Sequence, residues 1–308
     1  MSFTHLHVHS VHSLYHSTLT VKEAVDKAVR MGMNALAITD YDNMFAAHDF
    51  VRYSNEVDPS FKPIIGCELH VNPVLSVGKS KLPIQKAPHL TVLCKNEKGY
   101  ENLCKLLEIA WNEGFHFCPT VSFEQLTNYK DGLIVLSGCP GSEIAKHFLS
   151  GDHDAAEEAI LKYRDLFGED YYLELIRNGV NDQLESVFSD FLFNMSKKHG
   201  IKVVAANDVH RCEKEDIQKM EHLLQANLGD MAKSIPLPTD DWLKSEKEML
   251  SQFPDCPEAI SATEEIVAKI ETFEVPQWKV PSPRWNEEEY LRDLDDCRKI
   301  IDKYYSTT

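Results

Sequence analysis

The chain opens with Phe3-Thr-His-Leu-His-Val-His-Ser10, a short apolar stretch that ends in an H-x-H-S. Residues two apart share a face of a strand, so His7 and His9 aim both rings at one point. Far downstream, Lys202-Val-Val-Ala-Ala-Asn207 reads as another strand and runs into Asp208-Val-His210. Between them, Asp40, Glu68, His89 and Cys139 each lie at the edge of a different apolar run. Side chains dispersed in this way meet in space when successive strands close into a barrel whose loops share one face. His, Cys, Asp and Glu meeting there form the donor set of a multi-metal site.

Reading outward from these ends, strands and helices alternate. Strands are expected at residues 3–9, 35–40, 63–71, 89–94, 132–137, 171–176 and 202–207, with helix-length segments between them. The strands are apolar throughout, which suits a parallel sheet covered on both faces. Seven units with converging candidate ligands favour a closed or nearly closed α/β barrel. No glycine-rich fingerprint follows the first strand, which weakens a dinucleotide-binding alternative. One strand fits poorly: His89 opens its run, so spacing alone does not bring it to the shared face.

After His210 the character changes. The expected division is a barrel with the metal site over residues 1–228, a helical extension over 229–275, and a proline-rich connector with an acidic helix over 276–308. A helix at 213–228 is expected to close the barrel. Asp293-Leu-Asp-Asp296 lies in the acidic helix and reads as a solvated face.

Composition limits the function. The 308 residues carry a net charge of −17, spread along the chain, with no basic stripe. That argues against coating long duplexes, which takes extended positive surface. It leaves room for an enzyme that handles one phosphodiester at a time. No stretch is apolar enough to span a membrane and no signal peptide is evident. The eight cysteines include no C-x-x-C, so reduced thiols in the cytoplasm are expected.

Taken in order, His7-Val-His9-Ser10, Thr39-Asp40, Gly66-Cys-Glu68, His89-Leu-Thr, Ser137-Gly-Cys139 and Asn207-Asp-Val-His210 resemble the PHP (polymerase and histidinol phosphatase) superfamily. The similarity is nearest to the PHP domain that opens the alpha subunit of bacterial, family C DNA polymerase III. Lys98-Gly-Tyr-Glu-Asn-Leu-Cys-Lys105 and Gly132-Leu-Ile-Val-Leu-Ser-Gly-Cys139 add to it. The resemblance covers about residues 1–275, and the polymerase domains are absent from this sequence.

The resemblance implies a distorted seven-stranded (β/α)7 PHP barrel with a helical C-terminal extension, holding two or three divalent ions (Zn, Mn or Fe). It implies that His7, His9, Glu68 and Asp208 share one ion. Glu68 would bridge to a second held by His89 and Cys139, and His16 would join His210 at a third. The pattern's histidine after Asp40 is Tyr41 here, which puts the third ion in question. Asp40, Glu68 and Asp208 are the expected catalytic carboxylates; Asp40 either orients a ligand or binds metal itself. Arg177 and Asn178, after the sixth strand, are candidates for holding the phosphate. His5 reads as core or as a support behind the ligands, and His12, His70, His116 and His153 as loop or surface.

Phosphate esters resist attack because their oxygens repel a nucleophile. Divalent ions offset that charge and lower the pKa of a bound water towards neutrality, giving a metal-activated hydroxide. The expected activity is therefore a metal-dependent phosphoesterase, a phosphatase or a 3′-5′ exonuclease, cleaving a phosphodiester or phosphomonoester of a nucleotide or a DNA end; a single-stranded DNA 3′ end is the preferred substrate and 3′-5′ exonuclease action in replication or repair the preferred role. The alternative is a noncatalytic docking module for a polymerase or exonuclease subunit.

Overall fold

A computed structural model describes residues 3–72, 87–115, 118–179 and 181–276, with residues 292, 294, 295, 298 and 299. His116, most of the proline-rich connector and most of the acidic helix lie outside the described residues. Residues 1–275 form one compact unit and 276–308 a second.

Seven strands build one curled sheet: β1 (Ala35–Ile38), β2 (Lys62–Asn72), β3 (His89–Cys94), β4 (Val121–Ser122), β5 (Leu133–Leu136), β6 (Tyr171–Ile176) and β7 (Val203–Ala206). Their order is β1-β2-β3-β5-β6-β7, with the short β4 beside the end of β2. This is the expected distorted α/β barrel, with two corrections.

First, residues 3–9 do not form a regular strand. They run as an extended segment that closes the barrel between β1 and β7. The amides of Ala37 and Thr39 donate to the carbonyls of His5 and Val8 at 2.9 and 2.8 Å. On the other side, His9 donates to Val209 at 2.8 Å and Val209 to His7 at 3.1 Å. The segment deviates from the regular ladder because Val8 alone forms a bridge, to Val209.

Second, the sheet is mixed. β3 runs antiparallel to both neighbours, β2 and β5. Its first residue therefore stands at the same end as the last residues of the other strands. The apolar composition of β3 hid its direction, since burial on both faces reads alike for either orientation.

Inward-facing positions two apart change character along the strands. Ile64, Leu93, Tyr172 and Val204 belong to one buried apolar cluster with Leu6, Ala37 and Ile134. One or two steps further towards the open end stand Glu68, Thr91 with His89, Glu174, and, just past β7, Asp208. The interior is thus apolar at its base and polar at its mouth.

The base is sealed by the helix Pro257–Lys269, whose Ala262 and Ile266 join that cluster together with Ile270. Lys62 Nζ donates to the carbonyls of Val267 and Ile270 at 2.9 and 2.6 Å, capping the end of that helix. The helix expected to close the barrel is instead Ile217–Leu228, in which Met220 is the buried residue. Ile217, Leu223, Leu224 and Leu228 on it are only half-buried, and none of its residues joins the apolar cluster at the base. No described helix is long and apolar enough to cross a membrane.

Candidate metal centre

His7, His9, Glu68 and Asp208 converge at the barrel mouth. His7 Nε2 lies 3.2 Å from both His9 Nε2 and Glu68 Oε2, and 3.5 Å from Asp208 Oδ1. His9 Nε2 lies 3.1 Å from Glu68 Oε2 and 3.4 Å from Asp208 Oδ1. A tetrahedron with metal–ligand bonds of about 2.0–2.1 Å has edges of about 3.3–3.4 Å. The observed spacings match such edges.

The protons of the imidazoles are used elsewhere. His7 Nδ1 donates to Glu174 Oε1 at 2.7 Å, because a carboxylate can only accept. Ser13 Oγ donates to Asp40 Oδ1 at 2.6 Å and so accepts from His9 Nδ1 at 3.0 Å. Both Nε2 atoms therefore present lone pairs to two carboxylate oxygens. Four acceptors without a donor between them call for a cation. Burial opposes charging His7, yet Glu174, Glu68 and Asp208 hold its pKa well above the ordinary imidazole value. Against the cost of their own burial, His89 and His7 hold Glu68, and His210 and His7 hold Asp208, well below the usual carboxylate range.

A second group shares Glu68. His89 Nδ1 lies 2.5 Å from Glu68 Oε1 and 3.5 Å from Cys139 Sγ. Burial, with Glu68 and Asp208 nearby, pushes the Cys139 thiol well up, so thiolate character there needs a cation. The Gly141 amide already donates to Cys139 Sγ at 3.3 Å. Among the described residues these two groups are where ligand atoms gather for an ion. Donor atoms, spacing and shared carboxylate fit a pair of divalent ions, and imidazole, carboxylate and one thiolate suit Zn, Mn or Fe.

Backbone geometry sets these side chains. Asp208 takes a left-handed φ of 48°, which Asp tolerates better than most residues. Its segment is clamped from the helical extension: His210 donates its amide to Asp241 at 2.9 Å, and Asn207 Nδ2 donates to the carbonyls of Asp240 and Trp242, each at 2.8 Å. Gly141 packs so closely on His89 that an added Cβ would lie 1.9 Å from its Nε2. Gly141→Ala is expected to displace the His89 ring and lower bound metal from two ions per chain to one, with unchanged circular dichroism. Elemental analysis of dialysed protein checks this; two retained ions would show that His89 is not a ligand.

Other expected site residues lie elsewhere. Asp40 is outside both groups; its oxygens accept from Ser10 N and Ser10 Oγ, each at 2.7 Å, and from Ser13 Oγ. His210 Nε2 sits 3.0 Å from Asp208 Oδ1, while its Nδ1 donates to the His16 carbonyl at 2.8 Å. The His16 side chain joins neither group. Between them stands Tyr41, its ring stacked on His9 at 4.2 Å and edge-on to His16 at 5.2 Å. Burial and the nearby Glu68 and Asp208 carboxylates raise its phenol well above the ordinary value, so it stays neutral. Arg177 turns away from the centre, paired with Asp255 at 2.6 and 2.8 Å and lying over Phe253. Asn178 is buried, its backbone carbonyl accepting from Asp240 at 2.8 Å. His70, expected at the surface, is buried with Nδ1 2.7 Å from Asp42 Oδ2.

Glu174 escaped the sequence reading. It holds His7 and also accepts from the Gly138 amide at 3.1 Å. A lone carboxylate within the apolar run of β6 was the available signal.

The family model for the PHP domain matches residues 5–178. This chain belongs to the PHP domain family. It is 33% identical over 304 residues to the DNA polymerase III subunit alpha of Borreliella burgdorferi, covering 95% of this chain and 26% of that one. It is 36% identical over 318 residues to the same subunit of Treponema pallidum, covering 99% and 27%. This PHP chain thus spans about a quarter of the length of the curated relatives it matches. A solved histidinol phosphate phosphatase of Lactococcus lactis, complexed with Zn, L-histidinol and phosphate, aligns over 73% of this chain and 93% of that one, at 15% identity and a TM-score of 0.35.

Proposed function

We propose that this PHP domain is a metal-dependent phosphoesterase with a two-ion centre, acting on a phosphodiester and by preference on a single-stranded DNA 3′ end. The observation that carries this reading is the convergence of four acceptor atoms at tetrahedral spacing around Glu68, whose second oxygen serves a second ligand group. Bound divalent ions would offset the phosphate charge and acidify an attacking water.

The chain's own residues supply the rest. Glu174 fixes His7, and Asp40 acts through Ser13 to fix His9, each holding the imidazole in the tautomer that leaves Nε2 free. Tyr41 keeps its proton and stacks on His9 beside the centre. With Arg177 committed to Asp255, the charge that meets the phosphate comes from the ions. Asp40 thereby becomes a positioning residue, and the third ion is left out because Tyr41 fills the space between His9 and His16.

The test is to purify the chain without chelator, measure its metal, and assay bis(p-nitrophenyl) phosphate and a 3′-labelled oligonucleotide with Mn or Zn. His9→Ala and Asp208→Asn should each lower hydrolysis at least about a hundredfold, ~2.7 kcal/mol in barrier. Activity that survives both changes contradicts the proposal. One observation favours a second reading, a docking module in a polymerase assembly: the long relatives are DNA polymerase III alpha subunits. A metal-loaded chain inactive on both substrates would select it.

A further inference from the structure

A cavity opens beside the second ligand group. Cys139 and Glu174 line it on one side, and Leu149, Ile176, Leu184, Phe188 and Leu192 supply apolar walls. It encloses about 560 Å³, its mouth included, which is within the ordinary range of a small-molecule site. The fold sets these walls. Ile176 ends β6, two positions beyond Glu174 on the same face, and packs with Cys139 and Ala206. Leu184, Phe188 and Leu192 recur every four residues along the helix Asp182–His199, so they share one face of it. Phe188 is held in place by Phe148 and Phe191, with ring centroids 5.1 and 6.4 Å away. Leu149 and Leu184 remain 51 and 37% exposed, so apolar surface continues outward from the cavity.

The lining decides what fits. It is mostly hydrocarbon, and burying hydrocarbon against it is favourable, whereas burying an unpaired polar or charged group is costly. No Lys, Arg or His is among the lining residues, so an anionic extension would find no counter-charge there. Polar side chains of the lining are engaged with backbone. Glu185 accepts from the amides of Gly179 and Asn181 at 3.3 and 3.2 Å, and Asn181 Oδ1 accepts from the Leu184 amide at 3.1 Å. The cavity shares Cys139 and Glu174 with the candidate metal centre, so an occupant stands next to any phosphate held there. We propose that this cavity is the subsite for the organic group of the phosphate ester, and that it selects an uncharged, hydrocarbon-rich group over an anionic one. The proposal rests on the phosphoesterase reading and deepens it by naming what the ester carries. Ile176, Leu184 and Phe188 are then residues that determine specificity.

The test is isothermal titration of the full chain with Mn, using methyl-, ethyl-, propyl- and butylphosphonate. These keep the anion and carry no ester bond to cleave. Affinity should rise roughly threefold to fourfold per methylene, the worth of one buried methylene, so butylphosphonate should bind about thirtyfold tighter than methylphosphonate. Ser189 also lines the cavity, and Ser189→Leu fills it, bringing that ratio close to one. Leu184→Ala, a change at a partly exposed residue, should reduce the ratio about threefold. Val187→Ala, exposed on the same helix and outside the lining, should leave it unchanged. Methylphosphonate bound with no gain along the series overturns the subsite and leaves the centre standing. A gain that both Ser189→Leu and Leu184→Ala leave intact places the hydrocarbon elsewhere and also overturns it. No binding of any phosphonate overturns the subsite and the centre together. A gain that these variants abolish, in a chain that does not hydrolyse bis(p-nitrophenyl) phosphate, would remove the phosphoesterase reading and leave the subsite standing.

Discussion

Glu68→Gln is expected to empty both ion positions at once. Oε2 of Glu68 sits 3.2 and 3.1 Å from His7 and His9, and Oε1 sits 2.5 Å from His89. Glutamine keeps the shape but replaces one oxygen with a donor amide, which cannot face a cation. Bound metal should fall from two ions per chain to below one, and hydrolysis by about a thousandfold or more, ~4 kcal/mol. Glu174→Gln is the informative comparison, because that carboxylate touches His7 and no ion. It should retain both ions with affinity lowered about 10–100-fold. If Glu68→Gln keeps two ions, Glu68 is only a hydrogen-bond partner of the imidazoles, and the shared-carboxylate geometry is wrong.

Arg211→Ala is expected to have the largest effect on stability. Arg211 is 1% exposed and follows directly on His210. Its guanidinium pairs with Asp241 and donates to the Lys214 carbonyl and, at 2.8 Å, to that of Thr239. Burial outweighs the neighbouring His210 and Arg211 charges at Asp241, whose carboxyl sits above the usual range. Removing the arginine would leave that group buried and unpaired, at a cost of about 3–5 kcal/mol. Urea unfolding of the metal-free chain reads this directly. Replacing Arg211 and Asp241 together by apolar residues should cost less than Arg211→Ala alone. An Arg211→Ala chain within ~1 kcal/mol of wild type would mean that the segment reorganises and pairs with water.

Much of the fold could be read from the sequence, because inward positions two apart carry a pattern. In Pro63-Ile-Ile-Gly-Cys-Glu68 and Val203-Val-Ala-Ala-Asn-Asp208, an apolar base leads to a carboxylate at the mouth. Strand direction carries no such signal. His89 looked misplaced at the start of its run, and it reaches the centre because β3 alone is antiparallel to its neighbours. The PHP motifs named it as a candidate ligand where periodicity did not.

The supporting residues were harder to see. Glu174 lies in a strand with no motif around it, and its role depends on a partner 167 positions away. Asp40 stands in a motif, yet which role it takes depends on Ser13, whose hydroxyl intervenes between it and His9. Arg177 follows a strand end as a phosphate-binding residue would, but Asp255, from a segment far along the chain, takes its guanidinium. Each miss involves a long-range polar contact, which local sequence does not encode.

The most direct check is anomalous scattering from crystals of the full chain grown with Mn. Two peaks are expected, one among His7, His9, Glu68 and Asp208 and one among Glu68, His89 and Cys139. A map without density between His9, Glu68 and Asp208, with metal bound elsewhere or not at all, would contradict the centre described above.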